Sequence, residues 1–222
     1  MRWLLALLFS FTLLPKVFSQ TKLIVINPGE DILSSISKED RYTYPEFVNG
    51  TIYKSRKNVQ YKMNYNILFG HMEYIDSAGD TLYVDPNSFK YIVLGKDTFY
   101  YSRFYYRVLK DYDKIRLVCR NVFAFVSPQK TTTGTYYNTY QVIGNGQSLR
   151  GIAPKDTFRL AKFEVYYMAD VKNNIQTLRR ENLIKIYPHR KKALLNYLDE
   201  HTVNLYNLDE VEKMLDLLTV KK

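Results

Sequence analysis

The feature that most constrains the fold is a strict two-residue alternation between residues 59 and 67. In Val59-Gln-Tyr-Lys-Met-Asn-Tyr-Asn-Ile67 every odd position is apolar or aromatic and every even position is polar. Because successive side chains of a strand point to opposite faces, this pattern predicts a strand with one buried face. Shorter strand-like segments follow as far as residue 126, separated by turn residues at 76–80, 85–87 and 95–97. This spacing predicts an antiparallel meander.

The C-terminal part of the chain changes from strand character to helix character. We expect helices over 181–187 and 189–201 and a third helix that begins at Asn207. The third carries an apolar stripe at Leu208, Val211, Met214, Leu215 and Leu218. Short amphipathic helices cannot bury such stripes alone. Residues 179–222 are therefore predicted to form a helical segment whose helices pack on the sheet or on one another.

The composition agrees with a strand-rich globular chain. There are 21 Tyr and 12 Phe, against nine Gly and seven Pro, and aromatic residues at this density favour half-buried strands. The predicted fold class is mainly β, of the α+β type. It is an antiparallel twisted meander sheet with a small C-terminal helical cap, and residues 20–178 form the β domain.

Residues 1–19 have the layout of a secretory signal peptide. Arg2 precedes an apolar run over 3–14, and Ser19 precedes the expected cleavage before Gln20. The run is shorter than the about 20 residues that a transmembrane helix needs, although an uncleaved anchor is the alternative. We therefore expect an exported chain, periplasmic or associated with the outer membrane, with no transmembrane segment in the mature part.

The single cysteine, Cys119, excludes an internal disulfide. An exported chain without disulfides must be held together by its core, which a chain of this length permits. Cys119 lies on the same side of an alternating strand as Ile115 and Leu117. The sequence therefore predicts a buried, unreactive thiol.

Residues 127–154 are polar, carry little charge and are rich in glycine. This composition predicts a long mobile loop inside the β domain, and loops of this length are either functional or disordered. A strand over 136–143 is the alternative.

A set of turn and strand segments spread over most of the mature chain carries a family resemblance. These segments are Gly50-Thr-Ile-Tyr53, Met63-Asn-Tyr-Asn66, Gly70-His-Met-Glu-Tyr74, Gly79-Asp-Thr-Leu82, Thr98-Phe-Tyr-Tyr101 and Leu183-Ile-Lys-Ile-Tyr-Pro188. They resemble exported β-rich proteins of Bacteroides-type Gram-negative bacteria. The resemblance implies the bacterial envelope as the location and supplies no catalytic residue.

A basic segment around the first two predicted helices is the first candidate binding surface. Its members are Arg179, Arg180, Lys185, His189, Arg190, Lys191 and Lys192. Clustered cations suit nucleic acid, but export argues against that partner, so we expect anionic envelope material instead. The formal net charge of the chain is +10, or +8 without residues 1–19. The alternative interpretation is a solvated helix face that keeps the protein soluble.

Four closely spaced tyrosines are the second candidate surface: Tyr100, Tyr101, Tyr105 and Tyr106. Strand alternation must send some of these rings to each face of the sheet. Exposed rings can stack on sugar faces while polar neighbours bond the sugar hydroxyls. The alternative interpretation is that these rings are amphipathic residues bridging core and water.

The chain offers no recognisable catalytic, metal or cofactor motif. His71, His189 and His201 are scattered, and Gly144-x-Gly146-x-x-Leu149 lacks the third glycine of a dinucleotide fingerprint. The sequence therefore predicts a non-catalytic exported envelope protein that binds an envelope polymer, a glycan or another protein, without metal or cofactor. Two alternatives are a small-ligand carrier with a cupped sheet and a glycan hydrolase, whose paired acids would lie about 5–10 Å apart.

Overall fold

The computed structural model describes residues 22–130, 136–143, 154–205 and 207–219. The predicted signal peptide at 1–19 and residues 131–135 and 144–153 of the predicted loop lie outside the described residues.

Twelve strands form one antiparallel sheet within the described residues. They are Leu23–Ile26 (β1), Val48–Tyr53 (β2), Val59–Asn66 (β3), His71–Ile75 (β4), Thr81–Tyr83 (β5), Tyr91–Leu94 (β6), Asp97–Ser102 (β7), Phe104–Asp111 (β8), Ile115–Lys130 (β9), Tyr136–Val142 (β10), Phe158–Asp170 (β11) and Ile175–Thr177 (β12). The spatial order is β1-β11-β9-β8-β7-β6-β2-β3-β4-β5, with β10 beside β9 and β12 beside β11. The predicted mainly β meander is confirmed.

The sheet joins two meanders, β2 to β5 and β6 to β9, through the pairing of β2 with β6. The alternating segment that begins at Val59 is β3, as predicted. β2 is a strand whose limits the sequence pattern did not give. It contains Gly50, where a Cβ atom would lie 2.7 Å from the sulfur of Met63, so the close approach of β2 to the core requires glycine.

The predicted loop over 127–154 is wrong for residues 127–130 and 136–142. β9 continues to Lys130, and β10 pairs with it antiparallel, from Tyr136 opposite Lys130 to Val142 opposite Ala124. The strand alternative is the correct one here. The polar composition of this segment favoured a loop in the sequence analysis. Its Tyr, Thr and Val residues nevertheless favour extended backbone once a partner strand satisfies the backbone hydrogen bonds.

The first hydrophobic core lies against one face of the curled sheet. Ile24 and Ile26 of the edge strand β1 share this cluster with Met72 of β4, beside the opposite edge. Two short helices, Ile32–Ser35 (α1) and Lys38–Arg41 (α2), border it, and Ile32 and Ile36 are buried there. The curl of the sheet therefore brings both ends of the strand order onto one core.

The second core lies under the C-terminal helical cap. The cap consists of Arg180–Ile186 (α3), a 3-10 turn at Pro188–Arg190, Lys191–Glu200 (α4) and Leu208–Thr219 (α5). Val211, Met214, Leu215 and Leu218 of α5 are buried, as the apolar stripe predicted. They cluster with sheet residues that include Leu117, Cys119 and Met168. No helix among the described residues is long and apolar enough to cross a membrane.

Two polar residues of β3 are buried, although alternation placed them on a water-facing side. Asn64 has no exposed surface, and its side chain accepts a hydrogen bond from the Tyr44 amide at 3.2 Å and donates to the Tyr44 carbonyl at 2.8 Å. Asn66 donates to Glu73 at 3.0 Å, and Tyr42 donates to the same carboxylate at 2.7 Å. Satisfied hydrogen bonds allow these polar groups to be buried.

Candidate functional site

Strand register brings five tyrosines together on one face of the sheet. Tyr53 of β2 is directly opposite Tyr91 of β6, and Tyr100 of β7 is directly opposite Tyr106 of β8. Ring contacts join these pairs to each other and continue to Tyr167 of β11. We name Tyr53, Tyr91, Tyr100, Tyr106 and Tyr167 the tyrosine ladder.

The rings of the tyrosine ladder are in close contact. Tyr53 and Tyr91 stack with centroids 4.4 Å apart and planes inclined by 16°. The centroids of Tyr91 and Tyr100 are 5.7 Å apart, and Tyr106 meets Tyr167 edge to face at 5.3 Å. Four of the rings are half-buried, and Tyr106 is buried at 6% exposure. The ladder is therefore a nearly continuous aromatic strip with partly exposed rings.

The tyrosine ladder lies on the face opposite the helical cap. In β9, Leu117 and Cys119 contact the cap, while Val118 between them packs with Tyr106. In β11, Tyr166 lies in the cap core and its neighbour Tyr167 belongs to the ladder. Alternation along the same two strands thus separates the two surfaces.

Polar side chains lie beside the ladder on the same face. Thr51 precedes Tyr53 by two residues in β2 and is directly opposite both Gln60 of β3 and Val93 of β6. These residues and Asn49 line a shallow depression in the surface. Hydroxyl and amide groups next to aromatic rings can bond a polar ligand that stacks on those rings.

An arginine held by two acceptors contacts one ring of the ladder. The guanidinium carbon of Arg116 lies 4.8 Å from the centroid of Tyr100. Its Nε donates to Asp111 at 2.7 Å, and its Nη1 donates to Asn173 at 2.9 Å. Two side-chain acceptors therefore hold this cation over the ring, where cation–π attraction is favourable.

The four tyrosines predicted from sequence divide between the two faces of the sheet. Tyr100 and Tyr106 belong to the ladder, whereas Tyr101 and Tyr105 face the first core. Tyr105 is only 3% exposed, and burial raises its pKa. The rings divide between the two faces as alternation predicted, and Tyr106 is too buried to offer an open ring face.

Three ladder residues were not predicted from the sequence, namely Tyr53, Tyr91 and Tyr167. They lie on strands that are distant along the chain, and only the register of the pairs β2–β6 and β9–β11 brings them into line. The only sequence signal is that these three aromatic residues stand where alternation would place polar residues. That signal does not identify the neighbouring strand.

The basic segment lies at the starts of two cap helices. Arg179 precedes α3 and Arg180 is its first residue, and both are exposed. Lys191 and Lys192 open α4 and are exposed, whereas Arg190 is half-buried. Cations at a helix N-terminus oppose the helix dipole, so these residues do not stabilise the helices that carry them.

A charged cluster on the cap side of the sheet joins two acids through one arginine. Arg107 of β8 donates to Glu164 of β11 at 2.6 Å, and its Nη1 lies 3.5 Å from an Asp97 oxygen. Tyr166 donates to the second Glu164 oxygen at 3.3 Å, and Tyr44 donates to Asp97 at 2.6 Å. Both carboxylates interact with the same guanidinium group, so we interpret this cluster as structural.

Cys119 is buried as predicted, at 1% exposure. Burial raises the pKa of its thiol to about 12. The neutral thiol is therefore the form present near neutral pH, and it acts as a small apolar side chain in the cap core.

The described residues contain no group of three His, Cys, Asp or Glu side chains that could hold a metal ion. Comparisons with protein-family models, with curated proteins and with solved structures each found no match.

Proposed function

We propose that this chain is a non-catalytic exported cell-envelope protein that binds a glycan along its tyrosine ladder. One observation carries the proposal: Tyr53, Tyr91 and Tyr100 lie in line on neighbouring strands as half-buried, contacting rings on the face away from the cap. Aromatic rings in such positions have an apolar face for a ligand and a hydroxyl for water.

The spacing of the rings supports an extended, repeating ligand. Neighbouring strands lie about 4.8 Å apart, so rings on adjacent strands recur along a line perpendicular to the strands. The polar side chains of Thr51 and Gln60 beside that line can bond hydroxyl groups of the same ligand. A sugar chain combines stacking faces and hydroxyls in this way, whereas a purely apolar ligand would leave the polar groups unpaired.

The binding test uses the chain from Gln20 and a protein-free polysaccharide fraction of a Bacteroides-type envelope. We expect the triple substitution Tyr53→Ala, Tyr91→Ala and Tyr100→Ala to weaken retention about tenfold or more, since truncated anchor residues each cost over about 1 kcal/mol. The corresponding triple substitution to Phe keeps the rings and should retain most of the binding.

The matched control for the ladder is a second contacting aromatic pair, Phe125 and Phe158, whose rings are 5.3 Å apart and pack on the first core. Replacing both by Ala should leave retention unchanged in protein that still shows a cooperative thermal transition. Equal retention by the ladder Ala variant and the wild type would refute glycan binding at the ladder. Cell fractionation that finds the chain in the cytoplasm would refute the location.

The basic segment offers a second candidate surface, for anionic envelope material. The supporting observation is that exposed Lys191 and Lys192 open α4 while its first turn has no acid. Sequence selection for helix stability alone would favour the opposite charge there. Binding through this surface should weaken with salt and should be lost when Arg190, Lys191 and Lys192 are all replaced by Gln. Unchanged retention on envelope fractions would remove this surface.

The two remaining alternatives find less support in the structure. A carrier needs an enclosed apolar cavity, whereas the curled side of the sheet is occupied by the first core, including Phe99 and Phe123. A hydrolase needs two acids facing a substrate across a cleft, whereas Asp97 and Glu164 both bind Arg107.

A further inference from the structure

Two guanidinium groups contact one aromatic ring near the end of the ladder that Tyr106 and Tyr167 form. The ring is that of Phe104, two residues before Tyr106 and therefore on the same face of β8. The guanidinium carbon of Arg120 lies 3.5 Å from the ring centroid, and that of Arg103 lies 5.7 Å from it. We name Arg103 and Arg120 the arginine pair.

Arg103 adopts a backbone conformation that arginine rarely takes. Ser102 and Phe104 are directly paired, so Arg103 alone forms the turn between β7 and β8, with φ at 65°. Glycine or asparagine is favoured in this left-handed region, and another residue there carries a cost of order 1 kcal/mol. The turn therefore holds an exposed cation at a conformational cost, next to the ladder.

The arginine pair concentrates positive charge at this end of the ladder. From the two distances to the ring centroid, the guanidinium carbons lie within about 9 Å of each other, which is close to the screening length of about 8 Å at physiological salt. Burial raises the pKa of Tyr106, and the two arginines act in the opposite direction, so both cations are close to this ladder residue. Two cations within this distance of each other both attract an anion that binds beside Phe104.

We propose that the arginine pair binds the carboxylate groups of an acidic glycan, so that the ligand of the ladder is a chain containing uronic acid. This inference rests on the proposed function. A guanidinium group presents a planar fork of donors that matches a carboxylate, and stacking on Phe104 restrains the Arg120 fork. The rings of the ladder would hold the sugar faces while the arginine pair selects for the charge.

The test compares two probes that have the same sugar chain and differ at the carboxylates: an oligogalacturonide and the same oligomer with its carboxylates methyl-esterified. We expect wild-type protein to bind the acidic oligomer about tenfold or more tightly than the ester, with a preference that falls as salt rises. The variant with Arg103→Asn and Arg120→Gln should bind both oligomers with the affinity that the wild type shows for the ester. The single substitution Arg103→Asn suits the left-handed turn, and it should lose part of the preference without loss of folding.

The matched control is Lys114→Gln with Lys213→Gln, which removes the same charge from exposed positions outside the ladder and the basic segment. Its preference for the acidic oligomer should equal that of the wild type, and a loss in this control would overturn the inference. Equal wild-type affinity for the two oligomers, both sensitive to the ladder Ala variant, would overturn the inference and leave the proposed function standing. Binding of neither oligomer, together with equal retention of ladder variants on the polysaccharide fraction, would overturn both.

Discussion

Strands β9 and β11 carry two faces of different character within the same short segments. On one face Leu117, Cys119 and Met168 are almost wholly buried under the helical cap. On the other, Arg116 and Tyr167 are half-buried, and Tyr167 continues the tyrosine ladder. The covered face uses aliphatic and sulfur-containing side chains, whereas the open face adds, around buried Val118 and Ala169, side chains with both an apolar body and a polar end.

This difference separates side chains that stabilise the fold from side chains that leave part of their surface exposed. Full burial of an aliphatic side chain contributes roughly 1.5–3 kcal/mol, so the covered face holds cap and sheet together. A half-buried tyrosine contributes less to folding but keeps ring surface available to a partner. Substitutions on the two faces should therefore have different effects on the free energy of unfolding.

The largest expected effect is the protection of Cys119 on the covered face. Because burial raises the pKa of this thiol to about 12 from a reference value of 9.0, its thiolate fraction at pH 8 falls about a thousandfold. Alkylation of the native protein should be slower than that of the urea-unfolded chain by at least this factor, and should stay slow up to pH 10. Mass spectrometry of iodoacetamide-treated samples measures both rates.

The same pKa fixes the sign of a pH effect on stability. The folded state holds the thiol proton more tightly than the unfolded chain, so the contribution of Cys119 is complete below about pH 9 and is lost as pH rises towards 12. In urea titrations the wild type should therefore lose stability between pH 8 and pH 10. The variant Cys119→Ala should not show this loss. Rapid native alkylation at pH 8 would show that the cap does not cover the thiol.

The second prediction concerns packing between cap and sheet. Leu117→Ala or Leu215→Ala removes a fully buried side chain from the second core and should lower the free energy of unfolding by about 3 kcal/mol. Thr51→Ala on the open face is the control and should change it by less than about 0.5 kcal/mol. Urea unfolding followed by circular dichroism measures the difference. Similar losses for the two faces would refute the division of roles.

The third prediction concerns the charged cluster between the two cores. Replacing Arg107 by Met leaves Asp97 and Glu164 without their shared cation, and we expect a loss of about 2 kcal/mol because the site is partly buried. Combining Arg107→Met with Glu164→Gln should recover part of that loss, since one uncompensated charge is removed. No recovery in the double variant would show that the cost comes from lost packing of the arginine stem.

Alternation in the sequence was enough to predict the fold class. The period of two in the segment from Val59 predicts β3, which lies between two neighbouring strands in the sheet. The cap helices also followed from local signals: Pro188 limits α3, and the stripe that ends at Leu218 is buried as expected. These features depend on residues close together along the chain.

The candidate site depends on register, which is not local. Tyr100 and Tyr101 have the same sequence context, but one belongs to the ladder and the other to the first core. Tyr53 and Tyr91 are opposite each other only because β2 pairs with β6 across the three intervening strands. A single sequence gives the alternation of each strand but does not give the partner, so the ladder could not be predicted in full.

The smallest predicted effect is a gain in stability on the outer surface of the cap. Helix α4 begins with Lys191 and Lys192 and ends with Asp199 and Glu200, the reverse of the arrangement that the helix dipole favours. Lys191→Glu with Lys192→Glu should therefore raise the free energy of unfolding by about 1 kcal/mol at low salt, and less at high salt. Thermal unfolding at two salt concentrations measures this, and Lys213→Glu inside α5 is the control for a charge reversal away from a helix end. If the double variant is more stable but leaves the envelope fraction, the reversed charges serve binding. A variant that is less stable would show that the two lysines hold the cap in place.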